Sequence, residues 1–432
     1  MFNFVKNYKM LQLSQINENK EELLAQLKVK GFTDTKLIED VILLDKKRKK
    51  NQVALEGVLE SSNKLSKEIG ELFKQKKVAE ANSLKEQTAQ LKEDAKSFQD
   101  KAREIEQALK FLLLQIPNVP HKSVPKGKLP EDNELIFQSK HKIEKNKDFV
   151  AHWDLAEKYD TIDFELGNKI TGAGFPVYKG KGAQLQRALI NFFLDKAAEA
   201  GFREVQVPIL VNEASGIGTG QLPDKEGQMY HVANENLYLI PTAEVPITNI
   251  FRDVILNESD LPVKYTGYTP CFRREAGSYG KDVRGLNRLH QFDKVEIVQI
   301  AHPDKSYKVL EEMVDYVKSL LEMLEMPFRI IKLCGGDMGF TSALTYDFEV
   351  YSPAQDKWLE VSSVSNFESY QANRLKLRFK DKDNKKILAH TLNGSALALP
   401  RIVATIMENF QTKDGVRIPK CLETYCGFDV LN

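Results

Sequence analysis

The sequence predicts an α+β protein: an N-terminal antiparallel helical hairpin followed by a domain with a mostly antiparallel β-sheet flanked by helices. Three observations carry this. From about residue 41 to residue 112 the chain is rich in Lys, Glu, Gln and Ala with spaced leucines, has no proline and almost no glycine, and so has the composition of long helices. Near residue 117 the composition changes, and IPNVPHKSVPKGKLPEDNE carries prolines that forbid further helix. Beyond about residue 150, β-like runs bunch together instead of alternating regularly with helices, which favours an antiparallel sheet.

In the hairpin, Leu55, Val58, Ser62, Leu65, Ile69 and Leu72 follow a three-four spacing, and Leu84, Thr88, Leu91, Ala95, Phe98, Ala102, Ile105, Leu109 and Leu112 follow another. The two seams are mirror images about Val78: Leu72 answers Leu84, Leu65 answers Leu91 and Val58 answers Phe98. An arm of about thirty residues per helix reaches roughly 45 to 50 Å. Basic residues gather at KKRKK, 46 to 50, and at Lys74, Lys76 and Lys77 beside the tip. A domain of residues 1–116 is therefore expected, with its arm at about 41–112, then a second domain over 117–432 that opens with a linker at about 117–148. In that second domain REVQVPIL, NLYLIPT, KVEIVQI, TYDFEVY and KWLEVSS read as strands, and 182–200, 305–325 and 396–410 as helices.

Composition narrows the function. The chain of 432 residues is 28% charged and 42% hydrophobic, an ordinary globular balance, and a formal net charge of +1 excludes a globally basic nucleic-acid binder. Cys271, Cys334, Cys421 and Cys426 are scattered without a CxxC or a Cys/His cluster, so neither a disulfide frame nor a thiolate zinc site is expected. The opening MFNFVKNYK lacks the apolar core of a signal peptide and no run is apolar enough to span a bilayer, so a cytoplasmic protein with no membrane partner is expected. No strand is followed by GxGxxG or a P-loop pattern.

The chemistry concentrates in CFRREAGSYGKDVRGLNRLHQFDKVEI, residues 271–297. Gly277, Gly280 and Gly285, with Ser278 and Asp282, read as a loop between two strands. Period two puts Arg273 and Glu275 on one face of the outgoing arm and Arg288, Phe292 and Glu296 on one face of the return. Guanidinium forks suit phosphate, a ring suits a flat base, and a carboxylate suits an ammonium group, so the ligand implied is a nucleotide beside an amine. A surface hairpin laced with ion pairs is the plainer alternative. In KWLEVSSVSNF, Glu360 and Ser362 share one strand face and Ser363 sits on the other, where hard oxygens suit Mg²⁺. In TLNGSALALPRIVATIMENF, Gly394 and Ser395 stand at a predicted helix start, with Arg401 in its early turns placed to grip a polyphosphate.

Together these stretches resemble bacterial-type seryl-tRNA synthetase, a class II aminoacyl-tRNA synthetase, from about Met10 to about Pro419. GFREVQVPILV looks like the dimer-forming first class II motif, FRREAGSYGKDVRGLNRLHQFDKVE like the second and NGSALALPR like the third. GTGQLP, PTAEVP, LCGGDMGF and TYDFEV add seryl-specific likeness. The resemblance implies an enzyme, a homodimer, that activates L-serine with ATP and passes the seryl group to the 3′-end of tRNA(Ser), leaving the charging of tRNA(Sec) open. It puts Arg273 and Arg401 in catalysis, with Arg273, Glu275, Arg288, Phe292, Glu360, Val361, Ser362, Ser363 and Arg401 around ATP. Thr242, Ala243, Glu244, Glu296 and Ser395 match the serine pocket, and Glu360 and Ser363 the Mg²⁺ ligands. The arm is expected to bind tRNA(Ser). Leu344, Val364, the first nine residues and the tail CLETYCGFDVLN depart from the pattern. The alternatives are a noncatalytic synthetase-like RNA-binding paralogue, which should have lost some of these arginines, and a carrier-protein aminoacylating relative, which lacks the arm and uses zinc.

Overall fold

The computed structural model describes residues 13–143, 148–224, 227–275 and 284–432. These fall into two compact units, one of 13–28 and 32–117, the other of 29–31 and 118–432.

The first unit is dominated by α1 (Thr35–Lys74, 40 residues) and α2 (Val78–Leu113, 36 residues). Asp34 starts α1 by accepting a hydrogen bond from the backbone N–H of Leu37 at 2.9 Å. The reversal takes three residues, with Lys76 left-handed at φ +59° and Lys77 N–H bonded to Leu72 O at 3.0 Å. Every seam position from Leu55 to Leu72 and from Leu84 to Leu112 is buried or half-buried, while most residues between them are exposed. The three-four period therefore holds, but the mirror does not hold as expected: the reversal at 75–77 precedes Val78, and Phe98 O accepts from Asn51 Nδ2 at 2.9 Å, seven positions from its expected partner Val58. The length differs: α1 begins six residues before residue 41, and helices of this size span about 54 to 60 Å.

The second unit is organised by an eight-stranded sheet of β1 (Glu134–Gln138), β2 (Arg203–Glu204), β3 (Val263–Phe272), β4 (Gln291–Ala301), β5 (Phe328–Lys332), β6 (Leu344–Ser352), β7 (Lys357–Asn366) and β8 (His390–Ala398). Their order across the sheet is β1-β5-β6-β7-β8-β4-β3-β2, and every pair is antiparallel except β2–β3. Three helices pack against it: α3 (Gly180–Glu199), α5 (Ser306–Met323) and α7 (Leu399–Asn409), with the short α4 (Glu244–Asn249) and α6 (Tyr370–Arg374) between them in the chain. Leu189, Phe193, Leu320, Ile402 and Ile406 from the long helices join Val295 and Ile297 of β4 in the main core.

Several local expectations need correction. The stretch 117–148 is more than a linker, because β1 within it pairs with β5. REVQVPIL is strand only at Arg203–Glu204 and at Leu210, where a strand Leu210–Asn212 begins, and its interior, 205–209, is irregular. The helix placed at 396–410 starts at Leu399, so Gly394 and Ser395 belong to β8. Leu344 and Val364 are both core residues, at 3% and 0% exposure, which accounts for apolar side chains there. The atypical tail is packed too: Val430–Leu431 pairs antiparallel with Val416–Arg417, and Leu422 and Cys426 are buried.

Candidate active site

The site stands on β4 and its neighbours. Alternation along β4 sends Val295 and Ile297 into the helix-covered core and leaves Phe292, Lys294 and Glu296 together on the opposite face. Opposite these lie Cys271, Thr269 and Gly267 of β3, while Ser395 of β8 is registered with Glu296 from the other side. Gly267 lets the Val205 backbone approach β3, since a Cβ there would stand 2.7 Å from Val205 O.

The two arms of the expected hairpin are shorter than the sequence suggested. β3 stops at Phe272 and β4 begins at Gln291, so Arg273, Glu275 and Arg288 are not strand residues and period two does not place them. The expected turn residues Gly277, Ser278, Gly280 and Asp282 lie outside the described residues. Arg273 nevertheless reaches the same place. Its guanidinium lies 5.3 Å from the centre of the Phe292 ring, its Nε donates to Pro241 O at 3.4 Å, and its backbone N–H is tied to His290 O at 2.9 Å. Glu275, left-handed at φ +46°, accepts from Arg288 Nη1 at 3.0 Å.

Arg273, Glu275, Arg288, Phe292 and Ser395 line one cavity together with Glu360, Val361, Ser362 and Arg401. Arg401, on the first turn of α7, donates through Nε to Asn287 O at 3.2 Å and through Nη1 to Glu360 O at 2.5 Å, with Glu360 Oε2 at 3.6 Å. The backbone carbonyls orient the guanidinium, whose charge also faces the Glu360 carboxylate.

On β7 the expected alternation fails for a definite reason. Phe348 is registered with Ser362 and Glu349 with Glu360, so Val361 is an extra residue, a β-bulge. Val361 and Ser362 are both buried, at 1% each, and Ser362 gives its hydroxyl to Ser395 O at 2.5 Å. Glu360 is exposed and lines the cavity, while Ser363 is half-buried and does not line it; both lie near the Asp347 carboxyl. Asp347, registered with Ser363, has a buried Oδ1 without a hydrogen-bond partner, and burial first and the Glu360 carboxylate second push its carboxyl well above the usual range.

The expected serine residues form a buried polar compartment joined to the cavity by Lys294. Lys294 Nζ lies 2.6 Å from Glu296 Oε2 and donates to Thr242 Oγ1 at 2.8 Å, and it also lines the cavity. Thr242 Oγ1 is 3.3 Å from Glu296 Oε2 and accepts from the Glu244 N–H at 3.2 Å. Ala243 packs its methyl against Ile247 and Val298 and brings no polar group. Glu244 receives the Gln371 amide at 2.6 Å; Gln371 also donates to Thr219 O at 3.1 Å and accepts from Thr391 Oγ1 at 2.7 Å. That network fixes which end of the amide faces Glu244.

Burial, and next the nearby Glu296 carboxylate, raise Glu244 from 4.5 to about 7, partly offset by Gln371, Lys294 and Asn393. Between those two values the folded protein keeps a proton that the unfolded chain releases, so this group's contribution to stability falls as pH rises through the window and is level above it. Glu244→Gln is therefore expected to stabilise the fold near pH 8 by about 3 kcal/mol at most, with the gain vanishing below the ordinary carboxylate range. Urea unfolding of both proteins across that range measures it, and an equal gain at every pH would contradict it.

Lys294, Gln371 and Asn393 are site residues that the sequence reading missed. Lys294 carried a signal, being two residues from both Phe292 and Glu296. Asn393 shares a face with Ser395 by the same rule, whereas Gln371 comes from a separate short helix and had none.

Comparison with known proteins places this geometry. Residues 10–120 match the seryl-tRNA synthetase N-terminal domain and residues 230–410 the tRNA synthetase class II core domain (G, H, P, S and T). The serine–tRNA ligase of Salinibacter ruber is 47% identical over 97% of this chain and 98% of its own length, and that of Akkermansia muciniphila 45% identical over 98% and 99%. Among solved structures, seryl-tRNA synthetase from Pyrococcus horikoshii complexed with ATP superposes with a TM-score of 0.89 at 34% identity, covering 98% of this chain and 99% of that one. Cytoplasmic serine–tRNA ligase from Naegleria fowleri in complex with AMP gives 0.85 at 26%, again over 98% and 99%. Identity of this extent, end to end and across both matched domains, means that the chain belongs to the seryl-tRNA synthetases, a family of class II aminoacyl-tRNA synthetases.

Proposed function

We propose that the protein activates L-serine with ATP and transfers the seryl group to the 3′-end of tRNA(Ser), with residues 117–432 as catalytic domain and 1–116 as the tRNA-binding domain. One observation carries this reading: the face Phe292–Lys294–Glu296 sets a ring capped by an arginine beside a buried carboxylate, a base site adjoining an ammonium site. The noncatalytic paralogue does not stand against serine–tRNA ligases matching the whole chain and a complete set of cavity arginines.

In this reading adenine stacks on Phe292, Arg273 meets the α-phosphate, Glu275 lies on the nucleotide, and Arg288 and Arg401 receive the β- and γ-phosphates. Thr242, Glu244, Glu296 and Ser395 hold serine, Glu296 taking its ammonium. The serine carboxylate is already ionised and attacks the α-phosphorus without a general base; the bond to the β-phosphate oxygen breaks and pyrophosphate leaves toward Arg288 and Arg401. Arg273 stabilises the charge gathering on the α-phosphoryl oxygens. The tRNA 3′-hydroxyl then attacks the seryl carbonyl and releases AMP. Glu360 and Ser363, with the unpartnered Asp347 oxygen beside them, offer the hard donors that suit Mg²⁺. The ion supplies charge neutralisation on the phosphates. Among the described residues no three His, Cys, Asp or Glu converge on a metal.

Rejection of alanine and glycine follows from a pocket whose buried polar groups are left unpaired when the substrate hydroxyl is missing. A homodimer in the cytoplasm is part of the same proposal. Among the described residues no helix is long and apolar enough to cross a membrane. The test is pyrophosphate exchange into ATP with each of the twenty amino acids: serine alone is expected to support it, and another amino acid doing so would overturn the assignment. Glu296→Gln is expected to raise the serine KM roughly 100-fold while leaving the ATP KM nearly unchanged, because it removes one charge from a buried pairing. A defect confined to ATP would move Glu296 into the nucleotide site.

A further inference from the structure

Lys294 has no role in that mechanism, yet it occupies the middle of the site. Its side chain is 7% exposed, and its ammonium holds the one carboxylate, Glu296 at 2% exposure, that serine's ammonium is proposed to use. If Lys294 only held Glu296, it would cancel the charge on which substrate binding depends. Its position suggests a second partner. Same-face residues on a strand stand about 7 Å apart, so Lys294 lies between the ring at Phe292 and the carboxylate at Glu296. An α-amino acid with its ammonium on Glu296 and its carboxylate turned toward a nucleotide on Phe292 must pass that carboxylate across Lys294.

The geometry points to Lys294 as a further catalytic residue of serine activation, a cation that turns from Glu296 onto the substrate carboxylate and holds it for attack on the α-phosphorus; this rests on the serine-activating reading above. A zwitterion entering a buried ion pair gives four alternating charges, Glu296, substrate ammonium, substrate carboxylate and Lys294, and leaves none uncompensated. That balance matters where an unpaired buried charge is strongly unfavourable. The side chain suits the movement: a point charge on a flexible four-carbon stem can change partners, as a stacked or forked arginine cannot without losing its geometry. Lys294 Nζ already bonds Thr242 Oγ1 and lines the cavity shared with Arg273, so the two cations flank the point where one anion must approach another. The step itself is unchanged: the carboxylate oxygen bonds to phosphorus, pyrophosphate departs, and Lys294 keeps its proton throughout.

A ligand comparison separates this role from a structural one. L-Serine and L-serinamide, whose neutral carboxamide replaces the carboxylate, are titrated into the full-length protein with a non-hydrolysable ATP analogue present. Lys294→Met is expected to weaken serine roughly 10- to 100-fold while leaving serinamide within a few-fold, since only serine presents the charge that the lysine holds. Serine-dependent pyrophosphate exchange should fall on the order of 100-fold in kcat. Equal losses for both ligands would overturn the proposal, showing that Lys294 acts only by orienting Glu296, as would unchanged serine affinity and exchange. Should methionine not be tolerated at a buried position, Lys294→Arg keeps the charge and alters its reach; a loss for serine greater than for serinamide supports the proposal and an equal one overturns it. Absence of serine-dependent exchange in the wild-type protein would instead overturn the underlying reading.

Discussion

Arg273→Ala is expected to slow serine-dependent pyrophosphate exchange by about a hundredfold or more with the fold intact. Removing one preorganised charge from a developing oxyanion typically costs on the order of 3 kcal/mol. Arg273 is well prepared to supply that charge, since its backbone is tied to His290, its Nε is anchored on Pro241 O, and its guanidinium lies 5.3 Å from the centre of the ring proposed to hold adenine. The side chain is half-buried at the edge of the sheet, so its loss opens no core cavity. The kcat of exchange, with a melting curve to verify folding, is the measurement. Near-normal adenylate formation by a folded variant would remove Arg273 from the chemistry.

The second large effect is expected in charging rather than activation. Deleting residues 50–108 and closing the gap with a short glycine linker should leave serine-dependent exchange nearly intact and reduce aminoacylation of tRNA(Ser) by orders of magnitude. The deleted segments of α1 and α2 bury their seams against each other and are joined by the bond from Asn51 Nδ2 to Phe98 O at 2.9 Å, so they leave as a unit. The arm's proposed role is recognition by shape and backbone, with Lys74, Lys76 and Lys77 near the tip as phosphate contacts. The helical arm is proposed to embrace the long variable arm of tRNA(Ser), so residual charging should no longer respond to removal of that variable arm. Efficient charging that still depends on that arm would locate recognition elsewhere.

How much of this was legible in the sequence follows from the range of the forces involved. The seams of the arm were readable residue by residue, because a coiled-coil seam is set by neighbours three and four positions away, whereas the exact fold-back, at 75–77 ahead of Val78, was not fixed by that spacing. Phe292 and Glu296 were readable for the same reason on a strand. The rule failed wherever the strand itself ended or slipped. Arg273 reached Phe292 through a tether to Pro241 that nothing local announces, and Ser395 reached Glu296 because β8 runs on to Ala398, where Gly394 and Ser395 had suggested a helix start. Gln371 could not have been found, since its link to Glu244 joins α6 to the start of α4 over 127 positions of chain.

The bulge at Val361 makes one feature of the site a matter of counting instead of chemistry. Two side chains three positions apart on a regular strand point in opposite directions; here they agree because one residue is inserted without a partner. Val361 is buried and lines the cavity, and beyond that it adds one position to the count along the strand. Excising it would keep Glu360, Ser363 and every atom of their side chains, and would leave a strand still able to pair. It would nonetheless turn one of the two proposed magnesium donors to the wrong side of the sheet.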